Sequence, residues 1–225
     1  MPVAKADRLM AAAVAVTAGN TALAGHARRF NSNVTVLPSV VDTDLFRPTA
    51  PPPAERSGSP STAPYVQLLM EPLEQLASER PVRLLVVGGP APAIAGLEVI
   101  EKPWSLEQEV PLIQQFDVGV MPLPDNPWTR GKCSYKLIQC MACGIPVVAS
   151  PVGANVEAVP PECGFLAESS EQWLDAFRRL LADTNLRHQM GSAAPLWVEK
   201  RYSLGSALPL LLGVIHRAAA SNHLH

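Results

Sequence analysis

The chain has 225 residues, with 18 Lys and Arg against 20 Asp and Glu and a formal net charge of −2. Overall charge therefore gives no reason to expect nucleic acid or an anionic membrane as partner, and any basic site has to be local. Apolar residues make up 48%, enough to bury one large domain or two small ones, while the 23 prolines are about twice ordinary usage.

In chain order, AAAVAV (11–16) reads as a small buried strand, and NTALAGHARRF (20–30) as a helix with Asn20 at its N-cap. The apolar stretch AAAVAVTAG (11–19) follows Asp7 and Arg8 and is far short of the roughly 20 residues that span a bilayer, so neither a signal peptide nor a transmembrane segment is expected. NVTVLP (33–38) alternates as a strand does, and VVDTDLFRP leads out of it. PTAPPPAERSGSP (48–60) is the clearest linker.

Beyond the linker, TAPYVQLLMEPLEQLASE (62–79) has helical periodicity, with a kink expected at Pro72. VRLLVVGG (82–89) is a continuous apolar run of the kind found in parallel strands covered on both faces, and LEVIEKPW (97–104) is a second strand. SLEQEVPLIQQF (105–116) opens with Ser105 and Gln108 in capping-box spacing. DVGVMPLP (117–124) is a buried strand, and a helix containing KLIQCMACG follows and closes at Gly144. IPVVASPVG and GFLAE are further strands separated by a brief helix at ANVEAV. Three helices finish the chain, the last carrying the apolar run LPLLLGVI (208–215), read as core packing. Alternating strands and helices imply an α/β fold with a doubly wound, Rossmann-like parallel sheet. Ligands in such a sheet sit beyond the carboxyl ends of the strands.

Within RGKCSYKLIQCMACGIPVVASPVG (130–153), Lys132 and Lys136 stand one turn apart where the helix is expected to begin. That spacing puts both on one helical face. A helix N-terminus already attracts anions, so two added ammonium groups point to a phosphate. The alternative is a pair of solvated lysines. Cys140 and Cys143 form a C-x-x-C with no second pair or nearby histidine to complete a zinc set. Packing inside a reduced, cytoplasmic protein is the simplest role, with redox chemistry and metal binding as the alternatives. His26, His188 and His216 belong to no constellation.

At MACGIPVVASPVGANVEAV…GFLA the chain resembles the donor-binding half of GT-B glycosyltransferases of the family-4 type. In that pattern a helix ends in an EAMACG-like turn, followed by PVVAS, a glycine pair and a Glu opening a short helix, here Glu157. VTVLPSVVDTDLFRP is similar to the crossover between the two domains, FDVGVMPLP to the strand before the donor site, and SSEQWLDAFRR through Tyr202 and Ser203 to the closing helices. The likeness covers about residues 33 to 204. It implies the C-terminal half of a GT-B fold with a remnant of the N-terminal domain. Residues 1–46 would be that remnant of the acceptor domain and the crossover, 47–60 the linker, 61–204 the nucleotide-sugar donor-binding domain, and 205–225 a C-terminal helix and tail.

What the resemblance implies is transfer of a sugar from a nucleotide diphosphate sugar to a carbohydrate or lipid-linked acceptor, usually with retained configuration and with no metal or other cofactor. The chain would be cytoplasmic, or peripheral at the inner face of the membrane, and truncated, carrying mainly the donor-binding half. Lys132 and Lys136 would neutralise the diphosphate leaving group. Gly58, Ser59, Ser61 and Thr62 in GSPST would cradle phosphate or merely cap a helix. Gly88 would allow close approach of a ligand or form a plain turn, as would Gly89 beside it. Trp104 would stack on the base, cover the cleft or serve as a buried hydrophobic anchor. Ser134 and Gln139 would complete the nucleotide contacts, Gln139 through ribose hydroxyls, with Arg130 and Asp125 nearby as further candidates. Three departures stand out. Gly131 and Gln139 occupy positions where many members carry two glutamates, although lysine-rich branches exist. The acceptor domain would be nearly absent. At ERSGSPST the apolar first strand is expected to be lost, leaving its loop. The alternative reading is a non-catalytic nucleotide- or partner-binding module, or an inactive relic.

Overall fold

Residues 2–49, 57–60 and 63–222 are described by the computed structural model. An initial helix α1 (Pro2–Ala12) precedes strand β1 (Val16–Ala18), helix α2 (Thr21–Ala27) and strand β2 (Val34–Val36). The strand expected at 11–16 thus begins only at Val16, because Ala11 and Ala12 complete α1. Alanine is the strongest helix former, so an Ala-rich stretch extends a preceding helix unless something stops it. β1 and β2 pair in parallel with Val16 opposite Val34.

The larger sheet contains β3 (Ser57–Pro60), β4 (Arg83–Val87), β5 (Glu98–Lys102), β6 (Val118–Met121), β7 (Val147–Ala149) and β8 (Gly164–Leu166). Its spatial order is β5-β4-β3-β6-β7-β8, with every neighbouring pair parallel. Counted within the sheet this is the 3-2-1-4-5-6 order of a doubly wound dinucleotide-binding fold, whose direction of winding reverses between β3 and β6.

β3 overturns the expectation of a lost first strand. Ser57 pairs with Leu84 and Val118, and Gly58 with Leu85 and Gly119. No apolar pattern marks SGSP as a strand. The slot between two buried strands nevertheless leaves ladder N–H and C=O groups that need partners, and any extended backbone supplies them.

Helices cover both faces. A 3₁₀ segment (Ala63–Leu69) runs into α3 (Met70–Glu79). Pro72 falls in the first turn of α3, where its missing N–H would have had no intrahelical partner. The change from 3₁₀ to α at Met70 takes the place of the expected kink. α4 (Leu106–Ile113), the short α5 (Pro127–Arg130), α6 (Tyr135–Ala142), the short α7 (Asn155–Ala158), α8 (Ser170–Ala182), α9 (Thr184–Tyr202) and α10 (Leu204–Asn222) follow.

Alternation along the strands sorts the core into two layers. Leu85, Val87, Met121, Val147 and Ala149 join Phe116, Leu137, Ile138, Met141 and Val198 on the α4, α6 and α9 side. Leu84, Val86, Val118, Val120 and Val148 join Leu69, Leu76, Phe177 and Leu180 on the α3 and α8 side. α6 lies close to β6 because Gly119 leaves room for Cys140, which a Cβ there would meet at 2.9 Å.

LPLLLGVI in α10 departs from its reading as core. Val214 is buried, but Leu208, Leu210, Leu211, Leu212 and Ile215 are exposed. A run that is apolar all round can turn only one stripe inward, here mainly toward α9. Among the described residues no helix is long and apolar enough to cross a membrane.

Candidate functional site

The reversal between β3 and β6 marks the crevice. From the carboxyl end of β6 the chain passes through a tightly built loop. Asn126 caps α5 by accepting from the N–H groups of Trp128 and Thr129, both at 3.0 Å, and the Thr129 hydroxyl accepts from the Asn126 N–H in return. Arg130 donates to both oxygens of Asp125, at 2.5 and 2.7 Å. That ion pair holds the Asp125 carboxyl below its usual range and uses Asp125 within the loop.

Lys132 does not lie on the helix. α6 begins at Tyr135, and Ser134 stands before it in the left-handed region at φ 56°. Lys132 sits in the preceding turn, its N–H bonded to the Thr129 carbonyl at 3.1 Å, while Lys136 belongs to the first turn of α6. The two charges still act on each other. Lys136 is held below the ordinary lysine value first by burial and also by the charge of Lys132, with Glu109 and Cys140 acting in the opposite sense. Glu109, on α4, was not singled out from sequence. It accepts from the Trp104 indole N–H at 3.0 Å and so links two elements of the site. Its only sequence cue is position: it follows Trp104 by five residues.

Ser134 is buried and donates to Asn155 Oδ1 at 2.7 Å, while the Asn155 amide donates to the Ser150 carbonyl at 3.0 Å. The Ser134 hydroxyl is therefore committed to structure. Gln139 is 1% exposed, and its Nε2 is the one buried side-chain nitrogen or oxygen among the described residues without a hydrogen-bond partner. An orphaned buried amide is costly unless something satisfies it in another state.

Other predicted residues are placed as follows. Gly58 and Ser59 lie within β3 instead of a loop, and Ser61 and Thr62 lie outside the described residues. Gly88 ends β4 at φ 78°, and a Cβ there would come within 3.1 Å of Trp104 Cβ. Its open backbone thus accommodates Trp104. Trp104 itself is 54% exposed, beyond the end of β5. Gly88, Trp104, Lys132, Ser134 and Lys136 all share the carboxyl edge of the sheet, as the doubly wound order requires. Glu157 accepts from the Thr21 hydroxyl of α2.

Cys140, Cys143 and Cys163 are buried free thiols, and Cys133 is free and partly exposed. Burial pushes the Cys143 thiol up to about 12 and the Cys163 thiol to about 11. Such thiols are inert, as packing groups are. His26 is bonded to Asp7 at 2.9 Å.

The family model described as Glycosyl transferases group 1 matches residues 61–183. A D-inositol 3-phosphate glycosyltransferase of Corynebacterium diphtheriae is 32% identical over 136 residues, which cover 52% of this chain and 30% of that relative. Among solved structures, sucrose-phosphate synthase from Thermosynechococcus elongatus matches with a TM-score of 0.71 at 20% identity, over 96% of this chain and 61% of that one. HepE of Anabaena, solved in complex with UDP-glucose, matches with a TM-score of 0.71 at 16% identity, over 99% of this chain and 67% of that one. The present chain thus spans less than a third of the length of the curated relative. Fold likeness to GT-B enzymes and a family match over more than half of the chain lead to one assignment: the chain belongs to the glycosyl transferases group 1 family.

Proposed function

We propose that this chain carries the donor-binding half of a glycosyltransferase that moves a sugar from a nucleotide diphosphate sugar to a hydroxyl acceptor. The observation that carries this reading is the orphaned amide of Gln139, held inside the same helix whose first turn bears Lys136. A ribose hydroxyl is a natural acceptor for that amide, and a diphosphate is the natural partner for two lysines whose charges act on each other. HepE, similar in fold, was solved with UDP-glucose, which supports a nucleotide sugar as the ligand class.

In the reaction the bond between the sugar anomeric carbon and the diphosphate oxygen breaks, and a bond to the acceptor oxygen forms as the acceptor loses its proton. Lys132 and Lys136 stabilise the charge that develops on the departing diphosphate. They do so as point charges, and we assign no metal to this step. Trp104 supplies a face for the base, held by its bond to Glu109. The acceptor is a carbohydrate or lipid-linked hydroxyl, and the site of action is the cytoplasm or the inner membrane face.

Gly131 and Gln139 at positions where the resemblance places carboxylates favour a second reading, nucleotide binding without transfer. Calorimetric titration with UDP and GDP, with uridine and guanosine as phosphate-free controls, tests the shared core of both. Saturable binding that depends on the diphosphate is expected, and Lys136→Ala should weaken it about 10- to 100-fold, the size of a lost charge-assisted hydrogen bond. A folded chain that binds no nucleotide would overturn both readings. Transfer of sugar from the preferred donor to an added acceptor then separates the first from the second.

A further inference from the structure

The segment before the linker does more than complete the fold. Asn20 is only 2% exposed, and its side chain works in two directions. Its Oδ1 accepts from the Leu23 N–H at 2.8 Å and caps α2. Its Nδ2 reaches across 110 and 112 positions of sequence to the carbonyls of Arg130, at 3.1 Å, and Lys132, at 2.9 Å. These carbonyls flank Gly131 in the turn that presents Lys132.

The surroundings leave this turn little freedom. A Cβ at Gly19 would lie 2.5 Å from Cys133 Sγ, and a Cβ at Gly153 would lie 2.6 Å from the Arg130 carbonyl oxygen. The 130–133 turn is therefore held between the Gly19–Asn20 backbone on one side and Gly153 on the other. Next to Asn20, Thr21 donates to Glu157 of α7, so the start of α2 holds both the 130–132 turn and α7 at the carboxyl edge of the large sheet.

We infer that Asn20 is a positioning residue for diphosphate binding: by holding the Arg130 and Lys132 carbonyls it fixes the turn from which Lys132 meets the phosphates. This inference rests on the nucleotide-sugar reading above. Asn20 itself touches no substrate. Its effect arises because a lysine on a fixed backbone loses less freedom on binding than one on a loose turn.

The test uses the full chain and two variants. Asn20→Ser keeps a good helix cap but is too short to reach the two carbonyls. Asn20→Asp keeps size and cap, and replaces the donor by an acceptor that repels them. Each is titrated with UDP and with uridine, and amide hydrogen exchange across 129–134 is measured without ligand. Both variants are expected to lose about tenfold in UDP affinity, equivalent to 1.4 kcal/mol, while uridine affinity stays within about twofold. Exchange in the 129–134 segment should quicken about tenfold. Equal losses for UDP and uridine would show a purely structural role and overturn the inference. Unchanged exchange at 129–134 would overturn it too. If the parent chain binds neither ligand, the nucleotide reading fails, and the exchange measurement alone decides whether Asn20 holds the turn. If one variant fails to fold, the other decides.

Discussion

Ser134 and Asn155 form a buried hydrogen bond of 2.7 Å that joins the start of α6 to the start of α7, and Ser134 makes it from a left-handed backbone at φ 56°. That conformation costs a non-glycine residue roughly 1–2 kcal/mol, and the bond to Asn155 offsets it. Ser134→Ala keeps the backbone strain and leaves Asn155 Oδ1 without this donor, a loss of about 1–3 kcal/mol. Ser134→Gly loses the same bond but relieves the strain. Chemical denaturation should therefore rank the parent first, the glycine variant second and the alanine variant last, with about 1 kcal/mol between the two variants. Equal stability of the variants would mean that the left-handed conformation is not maintained.

Gln139 presents the opposite balance. Its amide nitrogen is buried without a partner, so Gln139→Leu removes a desolvated group and inserts a side chain of similar size. Stability is expected to rise by about 1 kcal/mol, seen as a higher Tm. Affinity for UDP and for uridine should fall together, because both carry the ribose. Uridine binding as tight as in the parent would take Gln139 out of the nucleotide site.

The charge on Lys136 sets a pH dependence. Burial comes first among the causes that lower its pKa from the ordinary 10.5, and Lys132 adds to it, while Glu109 and Cys140 oppose. The unfolded chain thus holds this proton to higher pH than the folded one. This group's contribution to stability rises as pH climbs through the window between the lowered value and 10.5. Bound phosphate favours the charged form, so diphosphate affinity should decline across that same window, with proton uptake on binding. Lys136→Arg, which stays charged throughout, should abolish the decline. A decline that persists in the arginine variant would assign it to another group.

The cysteines give a test of the fold around the site. A thiol reagent added to the native chain should modify Cys133 alone within minutes, since burial raises the pKa of Cys140, Cys143 and Cys163 and shields them. All four should react after denaturation. Rapid modification of a second cysteine in the native chain would contradict the buried placement of the C-x-x-C.

Most elements of the large sheet were legible because its strands are short apolar runs, its helices carry a helical period, and both end on recognisable signals. VRLLVVGG, DVGVMPLP and IPVVASPVG became β4, β6 and β7, and Asn20 caps α2 as its type and position predict. Gly144 closes α6 at φ 78°, a conformation glycine adopts without strain. The grouping of candidates along one edge followed from strand and helix alternation alone.

What the residues determine by themselves is local: period, caps and turn chemistry act over a few positions, and so the α/β alternation and the lysine-bearing block could be read directly. Only the tertiary structure decided the rest. β3 exists because β4 and β6 leave a slot for backbone pairing, whatever the side chains of SGSP. Lys132 was moved off the helix by a left-handed Ser134 whose partner lies 21 residues away. Asn20 entered the site through bonds that span more than a hundred residues. Such contacts form only when the chain collapses and buried polar groups must find partners, so no local pattern announces them.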